Sequence, residues 1–241
     1  MTNSAVILGA TASGKSAVAM ALARRHPSVE IVAVDAMQVY RGMDVGTAKP
    51  TAADRAAVRH HCLDLVAPND DFAVADYQRA ARCALEEIAA RDRTAVLVAG
   101  TGLYLTAVID RLTLPGEWPE VRAALEAELA ADFDTEALFH RLAVLDAQAA
   151  AKIEPTNARR IVRALEVCIG SGRPFSSFGP GTNAYPPITT PLVGLRWPRD
   201  VLSQRVAARV HDMIRAGLVE EVAALLRRPG GLSRTARQAL G

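Results

Sequence analysis

The stretch AVILGATASGKSAVAMALA (residues 5–23) decides the fold. Its first apolar run reads as a buried strand, GATASGKS (9–16) fits G-x-x-x-x-G-K-[S/T] at every fixed position, and the apolar spacing beyond is helical. In a strand–loop–helix setting this pattern holds phosphate. Loop N–H groups and the helix N-terminus point at phosphate oxygens, a lysine adds positive charge, and a serine hydroxyl can ligate Mg²⁺. Gly9, Ala10, Thr11, Ala12, Ser13, Gly14, Lys15 and Ser16 are thus the candidate phosphate-binding residues, with Ser16 the candidate metal ligand. What carries the phosphate is a separate question.

Outward from the loop, SAVIL (4–8), EIVAV (30–34), CLDLV (62–66) and TAVLVAG (94–100) read as buried strands, with PLVGLRW (191–197) as a fifth. Their alternation with helical patterns predicts an α/β fold with a three-layer parallel sheet of the P-loop NTPase type. The texture changes between residues 116 and 187. There WPEVRAALEAELAADFDTEALFHRLAVLDAQAAAKI and PTNARRIVRALEVCI have helical spacing without strand signals, and SGRPFSSFGPGTNAYPP (171–187) has no periodicity. The expected organisation is a first part of the core over 1–115, a helical insertion over 116–187, and core completion with C-terminal helices over 188–241. RDVLSQRVAARVHDMIRAGLVEEVAALLRR is expected to form one long helix with Asp200 as its N-cap.

At 241 residues, half of them apolar, the chain can bury a sizeable core. It has no apolar run of the roughly 18 residues that a membrane span needs, and its N-terminus does not read as a signal peptide. Cys62, Cys83 and Cys168 are scattered without CxxC spacing, which points to a reducing compartment, the cytoplasm, and away from zinc. The net charge of +2 is unevenly spread. From Arg196 onward, nine arginines face Asp200, Asp212, Glu220 and Glu221, which gives that segment +5 and leaves −3 on the remainder. Such a segment suits nucleic acid or a solvated helix face.

A hydrolysing NTPase needs an Mg²⁺-supporting aspartate after a second strand, and Asp35, which follows EIVAV, is the good candidate. No guanine-reading N-K-x-D occurs, so a GTPase fits poorly, while a small-molecule kinase stays open. Asp35 and Thr101 each stand at the carboxyl end of a predicted strand, where α/β sheets bind ligands. Arg159, Arg160 and Arg163 fall at helical spacings that make one cationic ridge, useful beside RNA phosphates. Arg205 and Arg209 repeat the i,i+4 spacing on the last helix.

DAMQVYRGMDVGTAKP, opened by Asp35, joins GATASGKS, HHCLDL, AGTGLYL, RRIVRALEV and GLSRTARQALG in an order that resembles the tRNA isopentenyltransferase (tRNA dimethylallyltransferase) family over nearly the whole chain. The resemblance implies transfer of a dimethylallyl group from dimethylallyl diphosphate to N6 of the adenosine immediately 3′ of the tRNA anticodon. In that reading diphosphate is the leaving group, and Ser16 together with the diphosphate charge implies Mg²⁺ as the cofactor. It makes Asp35 the base at N6 and places Thr101 near the reacting centre. It puts Gln38 and Tyr40 around the target adenine and counts Ala36 and Met37 with them among the tRNA-binding residues, although Tyr40 equally suits a core ring. It sets Arg122, Arg159, Arg160, Ile161, Val162 and Arg163 at the tRNA, and brings Arg205 or Arg209 to the diphosphate. His60 and His61 are expected to pack or hydrogen-bond. Donor and RNA are expected to enter one channel from opposite sides, with a monomer as the default.

The sequence departs from the family pattern at Ala10, Ala36 and Ala99, where Pro, Ser and Gly are commoner. Ala36 takes away a hydroxyl beside the proposed base. Members of the family usually continue past ARQALG through further helices; a truncated chain, a fragment and a natural short form all fit. The P-loop, Asp35 and Thr101 are all present, so donor binding is expected to survive. Three other readings stand beside the first: a nucleoside or small-metabolite kinase, an adenylate isopentenyltransferase, and a non-catalytic RNA-binding protein that uses only the arginines.

Overall fold

The computed structural model describes residues 3–132, 135–179 and 189–239. The chain divides into two compact units, Met1–Asp110 with Pro187–Gly241, and Arg111–Pro186.

The first unit is built on five parallel strands: β1 (Ser4–Gly9), β2 (Val29–Val34), β3 (His60–His61), β4 (Thr94–Ala99) and β5 (Leu192–Leu195), in the order β3-β2-β4-β1-β5. Interleaved with them are α1 (Lys15–Arg25), α2 (Ala52–Ala57), α3 (Val74–Ala90) and α4 (Gly102–Ile109). Side chains alternate along a strand, and the two faces of the sheet accordingly bury different residues. Ile7, Ile31 and Val96 pack with Ala19, Met20 and Ala23 of α1. Val6, Val32 and Leu97 point the other way and pack with Tyr77, Ala81 and Ile88 of α3 and Tyr104 of α4. These are the three layers expected of a P-loop-like α/β fold. Covered on both faces, β2 is buried along its whole length.

The expected strand over 62–66 does not form. Cys62 and Asp64 have positive φ, 63° and 56°, so the chain leaves the sheet after His61 and returns only as an isolated bridge between Tyr40 and Val66. The apolar letters there serve burial in a loop. The long C-terminal helix is also two helices, α9 (Arg199–Arg215) and α10 (Leu218–Leu226), broken at Gly217, whose φ of 96° belongs to the left-handed region. Helix α9 is entered from Pro198, which puts Asp200 inside its first turn rather than at the N-cap.

The second unit contains α5 (Pro119–Asp132), α6 (Thr135–Leu145), α7 (Ala147–Ala150) and α8 (Ala158–Ser171). Its core gathers Leu125, Leu138, Leu142, Ile161 and Leu165. Asn157 caps α8 by accepting from the Arg160 N–H at 3.2 Å, and Gly172 closes it with a φ of 67°. The aperiodic run 171–187 begins in a 3₁₀ turn, Phe175–Phe178, and its residues 180–187 lie outside the described residues.

Candidate active site

Four neighbouring strands end on one edge of the sheet. The phosphate loop follows β1, Asp35 follows β2, Gly100 and Thr101 follow β4, and Trp197 lies just beyond β5. Between β2 and β4 the strand ends are tied: the Gly100 N–H donates to the Val34 carbonyl at 3.1 Å, and the Ala36 N–H donates to Thr101 Oγ1 at 3.4 Å. Asp35 Oδ1 accepts the N–H groups of Met37 and Gln38 at 2.8 and 3.2 Å. Oδ2 accepts no hydrogen bond among the described residues and lies where a Cβ on Gly100 would stand 3.2 Å away. The carboxylate is thus fixed through one oxygen, and the other is left to act.

The loop takes its shape from two left-handed residues, Ala12 with φ 61° and Gly14 with φ 96°, before α1 begins at Lys15. Lys15 Nζ donates to the carbonyls of Gly9 and Ala10 at 2.9 and 2.8 Å. Burial lowers its pKa from the ordinary 10.5, the nearby positive charge of Arg209 adds to the lowering, and Asp35 opposes both. Gly9 is required by close approach: a Cβ there would meet the Leu195 carbonyl and Ser13 Oγ, both at 2.8 Å.

Lys15, Ser16, Arg205 and Arg209 line one cavity of about 970 Å³. The two α9 arginines behave differently. Arg205 Nε donates to the Ala12 carbonyl at 2.8 Å, and its guanidinium lies 4.7 Å above the Trp197 ring, whose Nε1–H donates to the Ser13 carbonyl at 2.9 Å. Arg205 is therefore a brace of the loop, and Arg209 is the arginine whose charge acts on Lys15. A further wall of the cavity is formed by Asp44, Val45, residues 48–52 and Arg55. Its cations are already committed. Lys49, fully buried at its side chain, bonds the Tyr40 carbonyl, Asp44 and Asp64 at 2.6–2.7 Å, and Arg55 pairs with Asp64 at 2.5 Å. Burial works against the Asp64 charge, but Lys49 and Arg55 outweigh it and lower its pKa.

Among the residues assigned to the adenine, Gln38 is spoken for: its Nε2 donates to the carbonyls of Thr47 and Ala48 at 3.0 and 3.4 Å. Tyr40 is 0% exposed and belongs to the core, so its ring has no face for a base. His61 Nε2 bonds buried Glu30 at 2.6 Å and His60 Nδ1 bonds the Val58 carbonyl at 2.8 Å. No cluster of three or more His, Cys, Asp or Glu suited to a metal occurs among the described residues.

Sequence spacing misleads most in the second unit. Glu166, 0% exposed, accepts the Trp118 N–H and Arg122 Nε, each at 2.8 Å, and pairs with Arg163 at 2.9 Å. Arg163 also donates to the carbonyls of Pro115 and Gly116. Arg122 and Arg163 are consequently half-buried counter-charges of Glu166 in this structure, and the ridge expected from helical spacing is here turned onto a carboxylate. Ile161 and Val162 are buried at 0% and 4%, so their side chains pack the core. Arg159 and Arg160 alone of that segment are exposed.

The family profile described as IPP transferase matches residues 38–241. The chain is a member of the IPP transferase family. Among curated relatives, the tRNA dimethylallyltransferase of Kineococcus radiotolerans is 50% identical over 240 residues, covering 98% of this chain and 75% of the relative. That of Roseiflexus sp. strain RS-1 is 49% identical over 224 residues, covering 92% and 72%. The solved full-length tRNA isopentenylpyrophosphate transferase of Bacillus halodurans superposes with a TM-score of 0.64 at 37% identity, over 98% of this chain and 74% of that one. Trp197, which bonds the phosphate loop, and Gly100, which lies against Asp35, border the candidate site and carry no role in the sequence reading. A tryptophan closing a strand beside the loop's own strand was the available signal.

Proposed function

We infer that the chain transfers a dimethylallyl group from dimethylallyl diphosphate to N6 of an adenosine in tRNA, the one 3′-adjacent to the anticodon, and releases diphosphate. The observation that carries this reading is the shared edge of the sheet: a phosphate loop with Lys15 and Arg209 faces one cavity, and the Asp35 carboxylate is close enough to bias Lys15.

The chemistry suits that pairing. The exocyclic amine of adenine is a weak nucleophile because its lone pair is delocalised into the ring. As N6 forms its bond to C1 of the donor, the C1–O bond breaks and the diphosphate leaves with the bonding electrons. Asp35 Oδ2 takes the N6 proton while Lys15, Arg209 and the loop N–H groups stabilise the charge on the departing oxygens. Thr101, tied to the Ala36 N–H, holds the ends of β2 and β4 at the reacting centre. Orientation of the two reactants supplies much of the rate.

Magnesium fits the donor set present. Ser16 lines the cavity and carries one hydroxyl, and Mg²⁺ characteristically takes one or two protein oxygens together with substrate phosphates and water. When bound it would neutralise charge on the diphosphate. In the second unit, Arg159 and Arg160 are the residues we assign to RNA phosphates. Among the described residues no helix is long and apolar enough to cross a membrane.

The deciding assay incubates the purified 241-residue chain with Mg²⁺, labelled dimethylallyl diphosphate and unmodified tRNA, with AMP as a parallel acceptor. Label is expected in tRNA. Label only in AMP would transfer the acceptor to a free nucleotide, and stoichiometric ATP consumption without label would return the kinase.

A further inference from the structure

Residues 44–46 present three consecutive backbone N–H groups to one carboxylate. Glu221, in the first turn of α10, accepts from Asp44 and Val45 through Oε2 at 2.8 and 2.7 Å, and from Gly46 through Oε1 at 3.0 Å. Successive N–H groups converging on one point form an anion-binding concavity, and hydrogen bonds to an ionised acceptor are the strong ones. The carboxylate comes from 175 or more positions along the chain.

The turn it grips belongs to the cavity. Asp44, Val45, Ala48 and Lys49 line it together with Ala12–Ser16 of the phosphate loop. The turn is closed on itself by the Ala48 N–H to the Val45 carbonyl and the Lys49 N–H to the Asp44 carbonyl, at 3.0 and 2.9 Å. It also reaches the proposed base. The Thr47 carbonyl accepts Gln38 Nε2, and the Gln38 N–H is one of the two donors that fix Asp35 Oδ1.

The other side of the cavity is held by the same C-terminal pair of helices. Arg205 on α9 bonds the loop at Ala12, and Gly217 then turns the chain so that α10 can bring Glu221 to the 44–46 turn. We propose that Glu221 is a positioning residue for the diphosphate site. By clamping the three N–H groups it fixes the 44–52 wall against α9–α10 and sets the width of the cavity between that wall and the phosphate loop. This inference rests on reading the cavity as the diphosphate site. Fit at Gly46 is tight, since a Cβ there would stand 3.1 Å from Leu218 Cδ1, so the turn and the start of α10 have little room to shift independently.

The test compares the full chain with Glu221→Ala and, in case that variant unfolds, Glu221→Gln, which keeps the length and one acceptor oxygen. Amide hydrogen exchange at 44–46 and titration with inorganic pyrophosphate and Mg²⁺ are measured on each. Both variants are expected to lose protection at these three amides and to bind pyrophosphate more weakly, Glu221→Ala by about tenfold and Glu221→Gln by less. In turnover the apparent KM for the donor should rise more than kcat falls. A variant that loses protection yet binds pyrophosphate like the parent overturns the positioning role, as does one whose three amides stay protected. A parent chain that binds no pyrophosphate while its 44–46 amides are protected overturns the diphosphate reading itself and takes the proposal with it.

Discussion

The Trp197 indole N–H and the Ser13 carbonyl are joined by a 2.9 Å hydrogen bond across 184 positions of sequence. Arg205 lies over the same ring and bonds the neighbouring Ala12 carbonyl, so two adjacent loop carbonyls are held by side chains from beyond β5. Holding these carbonyls fixes the backbone shape of the loop, on which an anion cradle depends. Ala12 needs the support most, because its φ of 61° is costly for a residue with a Cβ.

Replacement of Trp197 should therefore act on phosphate affinity. Trp197→Phe keeps a ring under Arg205 and loses one hydrogen bond, so pyrophosphate binding should weaken roughly threefold. Trp197→Ala also loses the cation–π contact and should weaken it about tenfold or more. Titration calorimetry reads both. Equal affinity in both variants would show that the loop holds its shape unaided.

A second prediction concerns Gly100. Its Cα approaches Asp35 Oδ2 so closely that the Cβ of Gly100→Ala would sit 3.2 Å from that oxygen. Asp35 would have to yield by a few tenths of an ångström, on the oxygen assigned to the N6 proton. The expected result is about a tenfold loss in kcat with little change in pyrophosphate affinity. Asp35→Asn should keep donor affinity and lose 10²-fold or more in kcat, on the order of a removed general base. Full turnover in Asp35→Asn removes the carboxylate from the proton path.

Strand-ending positions were legible in the sequence because they depend on local pattern. An apolar run followed by GATASGKS or by Asp35 puts those residues at the carboxyl edge wherever the strands are parallel, and this sheet is parallel throughout. Side-chain partners were not legible. Nothing local marks Glu166 as the counter-charge of Arg122, or Glu221 as the acceptor for 44–46, because each of these pairings is made by tertiary folding; the i,i+3 pair of Arg163 and Glu166 is the local exception, and only its burial is hidden from the spacing. Helical spacing says which arginines share a face, and not whether a buried carboxylate waits under it. For CLDLV the misleading signal was composition: an apolar run reads as a strand, yet positive φ at Cys62 and Asp64 bends it out of the sheet.

Glu166 should govern the acid stability of the second unit. Burial raises its pKa, but the Trp118 N–H, Arg122 and Arg163 outweigh that and hold it below the ordinary 4.5. A carboxyl lowered in the folded state contributes stability above its unfolded pKa, and that contribution is lost as pH falls through the folded value. Glu166→Gln should thus destabilise at pH 7 by about 3 kcal/mol, since two half-buried arginines lose their partner, and the gap to the parent should close in acid below 4.5. Chemical denaturation at several pH values, read through Trp118 fluorescence in a Trp197→Phe background, measures it. A gap that does not narrow in acid would mean that the charge of Glu166 is not what matters.

The last prediction separates the arginines of α8 by what they face. Arg159 and Arg160 are exposed, whereas Arg163 is spent on Glu166 and on the Pro115 and Gly116 carbonyls. Removing an exposed phosphate contact should weaken tRNA binding at all sequences and flatten its salt dependence, without affecting folding. Arg159→Ala combined with Arg160→Ala should lower the slope of log affinity against log salt by about 1.4 to 1.8, with an unchanged melting temperature. Arg163→Ala should do the reverse, lowering the melting temperature by several degrees, because the buried Glu166 carboxylate keeps Arg122 and the Trp118 N–H but loses one of its two counter-charges. Any loss of tRNA binding in that variant should then track unfolding and leave the salt slope of the folded fraction as it was. If Arg163→Ala instead flattens the salt slope at full thermal stability, its guanidinium leaves Glu166 for the RNA, and the ridge first read from helical spacing exists in the complex.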